Sequence, residues 1–363
     1  MTKKILSIAG IAAVVGIIMA FIGMCIVGFD FEKLDLDKDY TEKIFTVSDS
    51  EISSVNVYTD CMKVKVCYRE DDSNEIRITY YENDKHKPTI ANEDGTITLN
   101  DKEDFWNNFF NVGMFNIKRS RLETLVEVPK NNKTLKINIE TSNAKITADG
   151  LTADKLSLKT SNASIDVSGK FTNDVYCKTS NASIDVSGEF TNDVYCDTSN
   201  GNINAKNITA HTVSLYSSNA SCNAESVKSK NLNVGTSNAS INITNINSDS
   251  VKLETSNASI NLGDTVAKDS FYADTSNGSI NTRGIDSDKI ELHTSNSSIT
   301  ATIVGDDKDF AINSGTSNGN DNLYGRGNNS ASKQLSVYTS NGNINIKFDD
   351  QYTVSKGLQN ILS

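Results

Sequence analysis

The chain has 363 residues, a formal net charge of −11 and only 2 prolines. That length accommodates an anchor and more than one folded part, and the acidic balance excludes the basic face that a nucleic-acid partner requires. Its histidines, His86, His211 and His293, are too dispersed for metal-ligand spacing, and neither a phosphate-binding loop nor a nucleophile elbow is present. No catalytic, cofactor-binding or metal-ligating residue is assigned, and the chain reads as a non-enzyme.

The first element is apolar. Residues 5–29 carry no charged side chain and are long enough to span a bilayer as one helix. Lys3 and Lys4 precede the run; Asp30, Glu32, Asp35, Asp37 and Asp39 follow it. The positive-inside bias therefore predicts a single-pass anchor over 1–29, with a cytoplasmic amino terminus and the remainder outside the cell membrane. No small-x-small cleavage site closes the run, and Met24 precedes Cys25 where a lipoprotein needs a small residue. Residues 30–43 read as an acidic stalk. Residues 44–134 alternate apolar and polar side chains, as in Ile52–Tyr58 and Met62–Tyr68, and Asp94-Gly95 marks a hairpin. This region is expected to be a β-rich amino-terminal cap. Phe105, Trp106, Phe109, Phe110 and Phe115 lie within it as a local apolar plug.

Residues 135–348 are a repeat. Thr-Ser-Asn or a near copy ends at Asn143, Asn162, Asn181, Asn200, Asn219, Asn238, Asn257, Asn277, Asn296, Asn318 and Asn341; the first six intervals are 19 residues. A fixed period near that value means one unit stacked on itself. Six and four residues before each Asn, and three and five after, the side chain is mostly apolar, as in Leu156, Leu158, Ile165 and Val167. The spacing of two is the strand period, with Gly, Asn, Asp and Ser at the bends. One unit buries about five apolar side chains at roughly 1.5–3 kcal/mol each, too little to order its backbone at about 1–2 kcal/mol per residue. Only stacking closes that gap, so the expected fold is all-β: a parallel β-helix or β-solenoid of about eleven rungs, preceded by the transmembrane helix. Eleven rungs at roughly 4.8 Å make a rod about 50 Å long.

The repeated Asn is expected to form a structural ladder of stacked amides. The Thr before it continues the inward parity. The intervening Ser points outward, so Ser142, Ser161, Ser180, Ser199, Ser218, Ser237, Ser256, Ser276 and Ser295 form the candidate surface-contact stripe. Cys177, Cys196 and Cys222 fall in apolar slots and read as buried thiols. Asp166 and Asp185 stack outward, but inside a near duplication of residues 160–178 by 179–197 that explains their pairing without catalysis. Residues 318–329 echo a calcium-binding nonapeptide, but the motif occurs once and Arg326 interrupts its glycines; an inserted loop is the reading adopted. Residues 349–363 are expected to fold as the carboxy-terminal cap.

The order of apolar anchor, alternating strands, Asn92-Glu-Asp-Gly-Thr-Ile-Thr-Leu99, Leu125-Val-Glu-Val-Pro-Lys130 and Thr-Ser-Asn-Ala/Gly-x-Ile rungs resembles the DUF4097 adhesin-like family of bacterial envelope proteins. The resemblance covers about 44–348 and rests on structural motifs. It implies a Gram-positive surface protein acting in adhesion or envelope scaffolding, or beside an envelope-stress response, on a cell-wall polymer, a host surface, an envelope protein or another copy of itself. A polysaccharide-active β-helix enzyme is the remote alternative. The family pattern supplies no catalytic residues and no cofactor.

Overall fold

The computed structural model describes residues 40–84, 86–102 and 122–352. The expected anchor at 5–29, the aromatic cluster at 105–115 and most of 349–363 lie outside them. Among the described residues there is strand and turn, with short 3₁₀ turns at Asp49–Glu51 and Asp307–Asp309. No helix among them is long and apolar enough to cross a membrane.

The strands form one parallel solenoid whose layers repeat the sequence period. Leu156–Lys159 lies in register on Val175–Lys178, and Val175 on Val194. Ile165 stacks on Ile184, Ile184 on Ile203, and Ile203 on Cys222. These side chains are fully buried, so each apolar slot read from the repeat becomes a continuous column through the core. Outward positions alternate with them, as the strand period demands.

Each layer has three faces. The first face precedes the Thr-Ser-Asn corner and the second follows it. A kink seven residues past the Asn then starts the third. In the middle layers this course is one unbroken strand, as in Ile203–Ser217, Cys222–Thr236 and Ile241–Thr255. The kink is made by left-handed residues at Asn207, Ser226 and Asn245, with φ of 51°, 57° and 54°. Two earlier layers bend at Gly169 and Gly188 instead, where an added Cβ would fall 2.2 and 2.1 Å from a backbone carbonyl of the layer below. Phe171 and Phe190 fill the third-face interior there, stacked with centroids 5.6 Å apart.

Both ends depart from chain order. Part of the region expected as a cap continues the solenoid. Ser54–Thr59 lies between Lys136–Thr141 and Thr96–Asp101, parallel to both. Lys63–Tyr68 lies between Ile146–Ala153 and Glu123–Val128. The layer nearest the amino-terminal end is thus later in sequence than its neighbour. Antiparallel strands cover that end: Glu75–Glu82 pairs with Glu123–Val128 and with Thr41–Ser48, and Thr89–Glu93 with Thr96–Asp101. At the far end Lys333–Thr339 pairs directly with Lys289–Thr294, and Phe310–Thr316 lies outside it. The stacking order is therefore Asn296, Asn341, Asn318. The loop after Asn318 closes this end, with Leu323 buried and Gly327 packed against Ile312 and the Phe310 carbonyl.

Candidate functional site

At the regular corners the Thr hydroxyl turns inward and donates to the carbonyl following the Asn of the preceding layer; Ser217 does the same to Gly201, and Thr141 donates to Asp60. Thr179 reaches Ala163, Thr198 Ala182 and Thr236 Ala220, each at 3.1 Å. The Ser carbonyl accepts two backbone N–H groups from the next layer, as Ser142 does from Ser161 and Asn162. These bonds hold the corner, so the Asn side chains are free to face outward.

The Asn side chains form one continuous file. Asn162 Nδ2 donates to Asn143 Oδ1 at 2.6 Å, Asn181 to Asn162 at 2.6 Å, and Asn200 to Asn181 at 2.8 Å. Asn219, Asn238, Asn257, Asn277 and Asn296 continue it. Asn341 then donates to Asn296, and Asn318 to Asn341. The neighbouring Ser161, Ser180, Ser199, Ser218, Ser237, Ser256, Ser276 and Ser295 are exposed. Ser142 differs, because its hydroxyl donates to Asp60 at 2.8 Å. Cys61 stands where the next ladder Asn would be, 3.9 Å from Asn143 Nδ2, so Thr59-Asp60-Cys61 is a degenerate corner without the Ser and Asn of the repeat.

Two further ladders escaped the sequence reading. On the second face Asn204 donates to Asp185, and Asn223, Asn242, Asn261 and Asn281 follow in turn at 2.8–3.1 Å. Their signal was an Asn four residues past the corner Asn in five consecutive layers. On the third face Asn192 donates to Asn173, and Asn173 to Asp154. The Asp166–Asp185 pair noted in the sequence is absorbed by this network, since Asp166 is ion-paired with Lys145 and Asp185 accepts from Asn204.

The first face carries aromatic and charged side chains in register. Tyr176 and Tyr195 stack 5.2 Å apart at 1°, and Lys159 sits over Tyr176 at 5.6 Å. Tyr216 leans on Tyr195. Lys252 covers Tyr272, and His293 stands between Tyr272 and Tyr338. Lys178 pairs with Asp197 at 2.6 Å, a bond that raises the Lys178 pKa. Burial raises the carboxyl of Asp274, with His293 acting in the opposite direction.

The remaining candidates have structural partners. Asp321 accepts from Ser314, Asn322 bonds the Ile346 backbone, and Arg326 pairs with Asp307. The segment that echoed a calcium motif thus spends these side chains on closing the far end. His86 Nε2 is hydrogen-bonded to Asp101, which also accepts from Thr59 at 2.8 Å, and His211 lies 3.3 Å from Asp193. Cys177, Cys196 and Cys222 are buried thiols.

This geometry defines a class: an all-β solenoid repeat protein whose surface consists of long files of like side chains at strand spacing. The chain belongs to the Toastrack DUF4097 family, whose model matches residues 52–347. Among solved structures it is similar to a candidate adhesin of Bacteroides fragilis (13% identity, 86% of this chain and 98% of that one, TM-score 0.33). It is also similar to one of Parabacteroides merdae (14%, 74% and 98%, 0.33) and to a candidate cell adhesion protein of Clostridium sporogenes (14%, 85% and 100%, 0.18). A search of curated proteins gives no match.

Proposed function

We propose that this chain is a non-catalytic cell-surface protein, anchored through residues 5–29, that holds its solenoid outside the membrane as an adhesive or scaffolding rod. The observation that carries this reading is the corner file. Eight consecutive layers, from Ser161 to Ser295, present an exposed Ser beside a ladder Asn, and none of these hydroxyls is hydrogen-bonded within the described residues. A row of donors and acceptors repeating at strand spacing suits a partner that is itself extended and repetitive, because each weak contact is multiplied along the rod. The ladders hold the side chains in place before binding, which lowers the entropic cost of association.

The test is in two parts. On intact cells, added protease should remove the solenoid and leave the amino terminus protected. The purified full-length protein in detergent should be retained by cell-wall polymer, by host matrix or by immobilised copies of itself. Protection of the whole chain, or no retention on any of the three, would sink the proposal.

A further inference from the structure

Resting on that surface-binding reading, we infer that the first face carries a glycan-binding strip, with Tyr216 and Tyr338 as stacking platforms for the pyranose rings of a linear polysaccharide laid along the rod. One file of outward positions runs in register through Asp197, Tyr216, Gly235 and Glu254, then through Asp274, His293 and Tyr338, with Gly315 beyond. Each platform tyrosine therefore faces a glycine in the adjoining layer. A Cβ at Gly235 would lie 2.9 Å from Tyr216 Cδ1 and 3.1 Å from Cε1, and one at Gly315 would lie 3.4 Å from Tyr338 Cε1. The Tyr216 ring lies over the space a side chain would fill, and the Tyr338 ring lies in van der Waals reach of that position in its own neighbour. They are two of the four large hydrophobic residues exposed among the described residues, at 38% and 36%.

The other tyrosines of this face are covered. Tyr176 and Tyr195 take up each other's faces, and Lys252 sits over Tyr272. A ring lying flat with one face open offers its negative π-surface to the polarised axial C–H groups of a sugar, which is the geometry of stacking. Polar groups flank it. Ser214 and Asn233 occupy the adjacent outward file beside Tyr216, without hydrogen bonds inside the described residues, and Asp197 and Glu254 bound it along the axis. The platforms are five layers apart, roughly 24 Å at strand spacing. A β-1,4-linked chain advances by close to one strand spacing per sugar, so an extended oligosaccharide can reach both.

The experiment is calorimetric titration of the full-length protein in detergent with chitohexaose and cellohexaose, beside co-sedimentation with peptidoglycan sacculi. Wild type should bind at least one probe. Tyr216→Ala and Tyr338→Ala should each weaken binding about tenfold, Tyr216→Phe should not, and Gly235→Val should weaken it by lifting the ring. Circular dichroism of each variant checks that the fold is kept. Wild type failing on all three probes overturns the strip, and so does undiminished binding by the doubly substituted Tyr→Ala protein. In the latter case retained co-sedimentation would leave the surface-binding reading standing and remove only this face from it.

Discussion

Each ladder has a direction. Every Asn donates toward the amino-terminal end, and each but the last accepts from the layer beyond, so only the first position can be filled by a pure acceptor. The second-face ladder starts at Asp185 and the third-face ladder at Asp154, and a carboxylate is such an acceptor. Asn242→Asp would face the Asn223 carbonyl oxygen with another acceptor, losing one bond and adding repulsion, and should cost about 1 kcal/mol or more. Asp185→Asn should be neutral within about 0.5 kcal/mol. Urea unfolding at pH 7 compares the two; equal effects would refute the directional account. Buried thiols set a second residue-scale behaviour. Burial pushes Cys222 up to about 12, whereas an unfolded thiol ionises near 8.5. Between those values the unfolded chain loses a proton that the folded chain keeps, so stability falls as pH rises, by about 1.4 kcal/mol per pH unit per thiol. The neighbours in its column are Ile203 and Ile241, so Cys222→Val suits the slot. Its melting temperature should drop less than that of wild type between pH 8 and about pH 11; parallel curves would contradict the assignment.

At the scale of the strand, what was legible in the sequence was whatever recurs at a fixed offset with a distinctive residue. The Thr-Ser-Asn corner, the inward Ile columns and the inward Thr all follow from period and parity. The third face did not, because the kink at Asn207, Ser226 and Asn245 uses residues that also mark ordinary turns, and nothing in their identity distinguishes a left-handed bend inside a continuous strand. Ser54–Thr59 and Lys63–Tyr68 were read as alternating strands, but their place in the stack was hidden because Asp60 and Cys61 replace the Ser and Asn of the corner. Pairing between residues so distant in sequence leaves no local mark. The kink also contains a correctable strain. A left-handed backbone costs an ordinary L-residue about 1–2 kcal/mol, and Asn tolerates it better than Ser. Ser226 pairs with neither neighbour, although Asn207 and Asn245 occupy the same place in adjoining layers. Ser226→Asn should therefore stabilise the protein by about 0.5–1 kcal/mol, measured by denaturant midpoint at unchanged slope. A destabilised variant would mean that the bend is held by something other than residue conformation.

Over the whole molecule, stability is a sum of layers and contacts between neighbouring layers, closed at both ends. Such a rod should tolerate the loss of an interior layer and resist the loss of an end. Residues 179–197 nearly duplicate 160–178. Deleting them joins Lys178 to Thr198, brings Asn200 onto Asn162, and leaves Asp166 as the acceptor for Asn204. In the register of the neighbouring layers Phe171 then lies over Ala210 in place of Phe190, with Ile208 over Gly169. The shortened chain should fold cooperatively, stay monomeric and lose about 5 Å of length in small-angle scattering. Deleting 307–332 also removes one layer, and it restores a 19-residue interval between Asn296 and Asn341. The sequence at the join is as regular as any other, yet the consequence should be opposite. Leu323 and Gly327 no longer cover the end, and Lys333–Thr339 becomes a bare edge with Leu335 and Val337 behind it. An uncovered parallel edge with an apolar interior templates further strands. The second variant should associate at concentrations where the first remains single, as read by light scattering. If both stayed monomeric, the loop after Asn318 would be an ornament on the rod and not its lid.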